Sequence, residues 1–335
     1  MDRMMLLRDG LGKRHDVLEI GAYFRPIAAR RDGYRVTTLD IFDAAELRRR
    51  AAADSSLGPD DVARIEEVDL VGSACDLADL TAAKYGPGRR FDLILSSHNI
   101  EHLPDPIRFL QQCAAVLGPG GILRMAVPDK RFCFDHFRPV SEVSEWLQAF
   151  HERRTQPTRY QLFRESAYHS AAGKDRRWKP LRQTLQSYRT LFATDPRLSD
   201  GYIDTHCWAF TPESFELLAL DVRAFGLVGL EVGRITEPVG LEFFVDLRPT
   251  DPTATFSEDD YFADREVLME RYLAAEARGV DGVLRRGIGE KVVREAARMG
   301  RQVVGLVTRH DGAAAHWPVP RASAAARASH ATRRR

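Results

Sequence analysis

Between residues 14 and 128, apolar runs of four to six residues alternate with longer stretches whose apolar positions recur every three or four residues. Short runs of this kind read as buried parallel strands, and the longer stretches as helices with one apolar face. The pattern predicts strands at residues 16–20, 35–39, 65–71, 91–95 and 122–127, with a short helix at 77–85 before the break Gly86-Pro87-Gly88. A second helix starts at Pro104-Asp105-Pro106, because proline is tolerated in a first turn, where the amide would have no partner. Ile107, Phe109, Leu110, Cys113, Ala114 and Leu117 fall on one face of it, and Gly118-Pro119-Gly120-Gly121 stops it.

This rhythm breaks at residues 129–210, which are rich in Arg, His, Tyr, Trp and Phe and read as mainly helical. The core pattern resumes at 211–248. Thr211 is the expected N-cap of a helix running to 225, with Pro212 in its first position. Residues 227–232 and 241–247 are then the last two strands, closing as an antiparallel pair. The chain therefore divides into a first half of the core (1–128), a helical insertion (129–210), the core's completion (211–248) and a helical appendix (249–312). Amphipathic charge patterns lie at 266–278 and 289–299 in the appendix. A tail of Ala, Arg, Ser and His at 313–335 is expected to be disordered. The alternation of strands and helices makes the fold α/β: seven strands, mostly parallel, with helices on both faces.

Composition narrows the function. Forty-nine Lys and Arg balance 48 acids, leaving a net charge of +1, so no field argues for nucleic acid or an anionic membrane. Four scattered cysteines without CxxC spacing argue against a disulfide framework or a cysteine-rich zinc site, so a cytoplasmic location is expected. The first sixteen residues are too charged for a signal peptide, and no apolar run is long enough to span a membrane.

Two features bear on a cofactor. A tight turn, Leu18-Glu19-Ile20-Gly21-Ala22-Tyr23, follows the first strand, and ligands bind at that edge of open α/β sheets. Asp40 closes the second strand, 19 residues after Gly21, where a carboxylate can accept hydrogen bonds from both hydroxyls of a ribose. NAD enzymes use the same logic, so Asp40 alone does not choose the cofactor.

The stretch FDLILSSHNIEHLPDPIRFLQQCAAVLGPGGILRMAVP at 91–128 resembles the second half of a class I S-adenosylmethionine (SAM)-dependent methyltransferase, with its strand, Glu-His-Leu loop, helix, Gly-Gly turn and next strand. The resemblance extends in order of elements over roughly residues 14–248. It implies a Rossmann-like sheet and SAM as cofactor. Glu19 and Gly21 match the start of the family's Glu/Asp-x-Gly-x-Gly-x-Gly turn, with Gly21 and Ala22 beside the amino acid end of SAM. Tyr23 and Arg25 stand where the second and third glycines usually are. Ser73 and Ala74 match the positions that face adenine. Ser97 and His98 match those lining the methionine arm, and Glu101 and His102 are read as ordering that loop. The run Asp129-Lys130-Arg131-Phe132-Cys133-Phe134-Asp135, with His206-Cys207-Trp208 before the next helix, resembles a bacterial subgroup acting on surface polysaccharides or related glycans.

The segments 128–139 and 202–212 bracket the insertion, so both can reach the mouth of the sheet. His136 and His206 are the candidate general bases, because imidazole titrates near neutrality. Asp129 is the candidate to orient a histidine or bind substrate. Arg131 and Arg138 are candidates to hold a substrate carboxylate or phosphate. Trp208 joins them as a stacking surface, with core anchoring its plainer use. No metal is expected: Asp135, His136 and His206 are the alternative ligand set, and no two histidines have helical i, i+4 spacing. The expected activity is methyl transfer from SAM to an oxygen, with nitrogen second, of a small molecule or glycan precursor. One rival is a non-catalytic methyltransferase-like scaffold subunit, motivated by Tyr23 and Arg25. The other is an NAD(P)-dependent oxidoreductase, which needs the glycine triplet this turn lacks.

Overall fold

The computed structural model describes residues 2–172, 178–192, 202–251 and 257–278. The patterned segment 289–299 and the tail at 313–335 lie outside these. A seven-stranded sheet organises the chain: β1 (Asp16–Ile20), β2 (Arg35–Asp40), β3 (Leu70–Val71), β4 (Phe91–Ser97) and β5 (Leu117–Pro128), then β8 (Leu230–Ile235) and β9 (Glu242–Pro249). A small hairpin, β6 (Ser170–Ala172) with β7 (Trp178–Pro180), belongs to the insertion. The order across the main sheet is β3-β2-β1-β4-β5-β9-β8. Strands β1 to β5 pair in parallel, while β9 pairs antiparallel with both β5 and β8.

Both faces of this sheet are covered, which is why its strands read as continuous apolar runs. Leu18, Ile20, Leu39, Ile94, Leu123, Met125, Phe243 and Val245 point into one core. Val17, Leu93, Leu95, Ala126 and Phe244 alternate onto the other. Helices α5 (Pro106–Val116), α6 (Val143–His151) and α9 (Pro212–Ala224) cover the first face with Ile107, Leu110, Trp146 and Phe215. Trp146 makes edge-on contacts with Trp208, Phe210 and Phe215, so the start of the insertion shares the core of the sheet. Leu6 and Leu7 of a short N-terminal helix (Arg3–Leu7) and Ile27 seal the second face.

The caps follow the sequence. The Asp105 carboxylate accepts from Arg108 N at 2.9 Å, and Thr211 and Ser214 cap reciprocally at 2.9 and 3.2 Å. A 21-residue helix (Glu258–Arg278) lies against α9, where Asp221 accepts from Arg265 and Tyr261.

Two expectations need correction. The third strand covers only two of the seven residues predicted for 65–71. Side chains there take the place of a ladder: Glu66 accepts from the amides of Arg30 and Arg31, and Asp69 from that of Thr38. Second, Gly118–Gly121 is not a turn separate from the strand. Leu117 already pairs with Phe91, and Ile122 pairs with Leu93, so the glycine run forms a hump within β5. Gly120 takes φ +72° there, and a side chain on Gly121 would meet the carbonyl oxygens of Gly118 and Phe91 at 2.9 and 3.0 Å.

Candidate active site

The carboxyl ends of β1, β2 and β4 lie side by side, with Ile20 paired to Leu39 on one side and Ser96 on the other. The chain leaves β1 at Gly21, whose amide donates to Leu39 O at 2.9 Å and whose φ is +68°. A Cβ at Gly21 would meet nothing within 4 Å, so space for a ligand's approach is open there. Tyr23, in place of the usual second glycine, nevertheless keeps a left-handed backbone, φ +44°. The turn thus retains a glycine-like path without the glycine.

Glu19 faces the protein interior. Its two oxygens accept from Ile27 N (2.6 Å) and Ala28 N (2.8 Å), which folds the post-β1 segment back over the sheet. Burial outweighs these donors and pushes its carboxyl up to about 7. Asp40 ends β2 half-buried. One oxygen accepts from Phe42 N at 3.2 Å, and burial pushes the carboxyl up to about 6. An open glycine turn with a strand-end carboxylate beside it fits the amino acid and ribose portions of SAM. Ser73 spends its hydroxyl capping the following turn, accepting from Cys75 N at 3.2 Å; Ala74 beside it is buried.

The loop after β4 is the most heavily built part of the site. Ser97 Oγ accepts from Arg3, and Arg3 Nε also reaches Glu242 at 2.7 Å. His98, at φ +49°, places Nε2 2.8 Å from Glu242 and Nδ1 3.4 Å from Glu101. Burial alone would lower the His98 pKa, but the two carboxylates win and hold it up at about 10. Glu101 is fully buried, with His102 Nε2 3.7 Å from Oε1. His102 Nδ1 stands 2.9 Å from Asp204, which outweighs burial and lifts His102 to about 9.

The returning end of the insertion is fastened onto this loop. Trp208 N donates to Glu101 O at 3.2 Å, and its indole donates to Leu103 O at 2.6 Å. Asp129 bridges to Phe210, so the two ends of the insertion meet. His206 stacks edge-on to His102, with ring centroids 4.7 Å apart, and its Nδ1 bonds Asp135. Asp135 is also held by Arg138 Nη1 at 2.7 Å. Although burial opposes its charge, Arg138 and His206 keep this carboxyl well below the ordinary range. Tyr202, edge-on to Phe42 at 5.6 Å, links this segment to the turn after Asp40.

Several sequence candidates serve the fold instead. Asp129 has no exposed surface and grips Arg131 through Nε and Nη2 at 2.9 and 2.6 Å. Arg138, expected at a substrate anion, is buried on Asp135 and the carbonyls of His206 and Cys207. Trp208 is a core residue. His136 turns away from Asp135 and His206: its Nδ1 lies 3.0 Å from Arg131 O and its ring stacks on Trp178. The set Asp135, His136 and His206 is therefore not assembled. Conversely, Glu101 and His102 are central, and Asp204, Glu242 and Arg3 were missed. Asp204-x-His206 in the bracketing segment was the available signal for Asp204. Nothing local marks Arg3 or Glu242, which arrive through the fold.

A parallel sheet with an antiparallel last strand, a glycine turn, a strand-end acid and a built loop after β4 defines a class I methyltransferase core. A family model described as a methyltransferase domain matches residues 2–176. The chain belongs to this methyltransferase family, and with it to the SAM-dependent enzymes that the sequence resembles. Among curated proteins it is 44% identical over 75 residues to a ubiquinone biosynthesis O-methyltransferase of Parvibaculum lavamentivorans, covering 22% of this chain and 28% of that protein. A counterpart from Chelativorans sp. is 34% identical over 74 residues, covering 22% and 29%. The match spans under a third of the length of these relatives. Among solved structures it is similar to the CcbJ methyltransferase from Streptomyces caelestis, with 13% identity, TM-score 0.40 and coverage of 73% of this chain and 88% of that one. It is also similar to the 1,6-didemethyltoxoflavin-N1-methyltransferase of Burkholderia thailandensis, with 17% identity, TM-score 0.35 and coverage of 74% and 76%.

Proposed function

We propose that this methyltransferase acts on a hydroxyl oxygen of a small molecule or glycan precursor, in the cytoplasm. The observation that carries the reading is the placement of a Glu101–His102–His206 cluster one loop away from the open Gly21 turn and Asp40. SAM supplies a methyl group already activated as a sulfonium, so the protein's work is alignment and management of the acceptor's proton. Gly21 and Asp40 hold the cofactor, and the loop at Ser97–His98 lines its methyl end. A hydroxyl is a poor nucleophile and gains from a nearby base, whereas an amine needs one less; the neighbouring carboxylates keep His98 and His102 protonated near neutrality, which leaves His206 as the candidate. The 75-residue stretch that is 44% identical to an O-methyltransferase supports oxygen as the acceptor atom. All four cysteines are free and buried, which agrees with a reducing compartment. Among the described residues, no helix is long and apolar enough to cross a membrane.

Calorimetric titration with S-adenosylhomocysteine, beside an Asp40→Ala variant and an NADH control, tests the cofactor half. Binding that is lost in the variant is expected. A folded protein that fails to bind would overturn the reading in favour of a scaffold subunit. The acceptor half is tested by following methyl transfer to hydroxylated and aminated members of one compound series. Preference for the amines would refute oxygen.

A further inference from the structure

We propose that Glu101, His102 and His206 form a binding site for a divalent transition-metal ion of the zinc type. One ligand atom from each residue lies within 4.8 Å of the other two. Ligands around an ion at about 2.0–2.1 Å stand roughly 3.3 Å apart, so side-chain movements of about 1 Å close the site.

Three independent features point to a cation. The Glu101 side chain is wholly buried, and neither carboxylate oxygen has a hydrogen-bond partner among the described residues. His98 and His102, 3.4 and 3.7 Å away, supply charge without a hydrogen bond, so both oxygens remain open to direct ligation of a metal ion. Each histidine also has a carboxylate beside its far nitrogen. His206 Nδ1 bonds Asp135, and His102 Nδ1 stands 2.9 Å from Asp204. That leaves each Nε2 for the cluster, as in the carboxylate–histidine–metal arrangements that orient ligating imidazoles. Finally, Asp135 is itself fixed by Arg138, whose guanidinium also donates to the carbonyls of His206 and Cys207. The His206 ring is therefore anchored through two successive shells.

Two imidazoles and one carboxylate suit zinc, iron(II) or manganese(II) better than magnesium or calcium, and they leave coordination positions open. An acceptor hydroxyl could take one of them; this use rests on the methyltransferase reading, whereas the binding of the ion does not.

The test uses the full chain, stripped with a chelator and titrated with zinc chloride, with manganese(II) and magnesium in parallel. Metal content, thermal midpoint and S-adenosylhomocysteine binding are read on the same samples. Expected are one zinc per chain, little magnesium, and a zinc-dependent rise in midpoint of about 5 °C when zinc is in hundredfold excess over its Kd. Glu101→Gln and His206→Gln should each weaken zinc at least tenfold and cut the rise at the same zinc concentration to about half or less. Without metal, Glu101→Gln also loses its charge pairs with His98 and His102, so the readout is the zinc-dependent change in midpoint within each variant. Substoichiometric zinc, or zinc retained by both variants, would overturn the proposal. Homocysteine-adduct binding without zinc uptake would sink the metal site and leave the methyltransferase reading standing. Zinc uptake without that binding would do the reverse.

Discussion

If Asp40 accepts the ribose hydroxyls as proposed, cofactor affinity depends on pH. Its carboxyl is pushed up to about 6 by burial at the end of β2. The ionised form is the one that accepts two ribose hydroxyls, so affinity should fall as the carboxyl takes up its proton. With a pKa of about 6, the ionised fraction drops from about nine-tenths at pH 7 to about one-tenth at pH 5. If only that fraction binds, the apparent Kd for S-adenosylhomocysteine rises about tenfold over the interval. Asp40→Asn removes the charge and one acceptor, and hydrogen bonds to a charged group are worth about 1.5–3 kcal/mol. The variant should therefore bind about 10- to 100-fold more weakly near pH 7.

The Asn variant is expected to fold. A carboxyl whose folded pKa exceeds its unfolded value costs stability as pH rises through that pKa, so the Asn variant should be no less stable at neutrality. Glu19, pushed up to about 7, titrates in the same window, but its bonds to Ile27 and Ala28 persist in the variant. The informative quantity is thus the ratio of variant to parent Kd, measured calorimetrically from about pH 5 to about pH 7.5. It should shrink about tenfold toward the acid end. A ratio that stays constant would show that Asp40 is not the acceptor.

Other consequences are as direct. Arg124 and Asp246 pair across β5 and β9 at 2.7 and 3.0 Å inside the sheet, so Asp246→Asn should cost about 3–5 kcal/mol in urea unfolding. Much of that should return when Arg124 is also made apolar. Gly121→Ala drives a Cβ against two carbonyl oxygens and should cost about 1–3 kcal/mol, again read in urea. The His98 pairs with Glu101 and Glu242 stabilise fully below its ordinary pKa and lose that contribution as pH rises through about 10. His98→Asn, which tolerates the positive φ, should therefore lower the thermal midpoint near neutrality and change it little at about pH 11. An equal loss at both pH values would refute the charge assignment.

What could be read from the chain followed local rules. Strand β1, the helix at Leu77–Tyr85 and the Thr211-Pro212 helix start appear where periodicity and capping place them. Their signals lie within the elements themselves. The third strand was over-extended because 65–71 is held by carboxylates gripping neighbouring amides, and apolar periodicity does not report such contacts. The glycine run misled in the opposite direction. Gly-Pro-Gly-Gly has turn chemistry, yet Leu117 pairs with Phe91 before it and Ile122 with Leu93 after it. At the proposed site, the placement of Gly21 and Asp40 at the ends of β1 and β2 is legible because strand ends announce themselves. Arg138 was misread because its partner Asp135, three residues away, and the carbonyls of His206 and Cys207 are gathered only in the folded chain.

Glu101 and His102 belong to the loop after β4, whereas Asp204 and His206 belong to the end of the insertion. The two are joined by main-chain bonding, with Trp208 N on Glu101 O, and by the indole on Leu103 O. A separate cap would be held by side chains and could be exchanged or opened without disturbing the sheet. Here the returning segment is bonded to the loop after β4, proposed to line the cofactor, and Phe210 accepts from Lys130 N at the insertion's other end. Trp146 and Trp208 carry the attachment into the main core. With the site as proposed, the insertion would be one of its walls: its inner surface could vary with the acceptor, but its two ends must stay in register with β4 and β5. Selection on the acceptor would fall between residues 142 and 204. Changes at the fastened ends would damage cofactor binding and stability together.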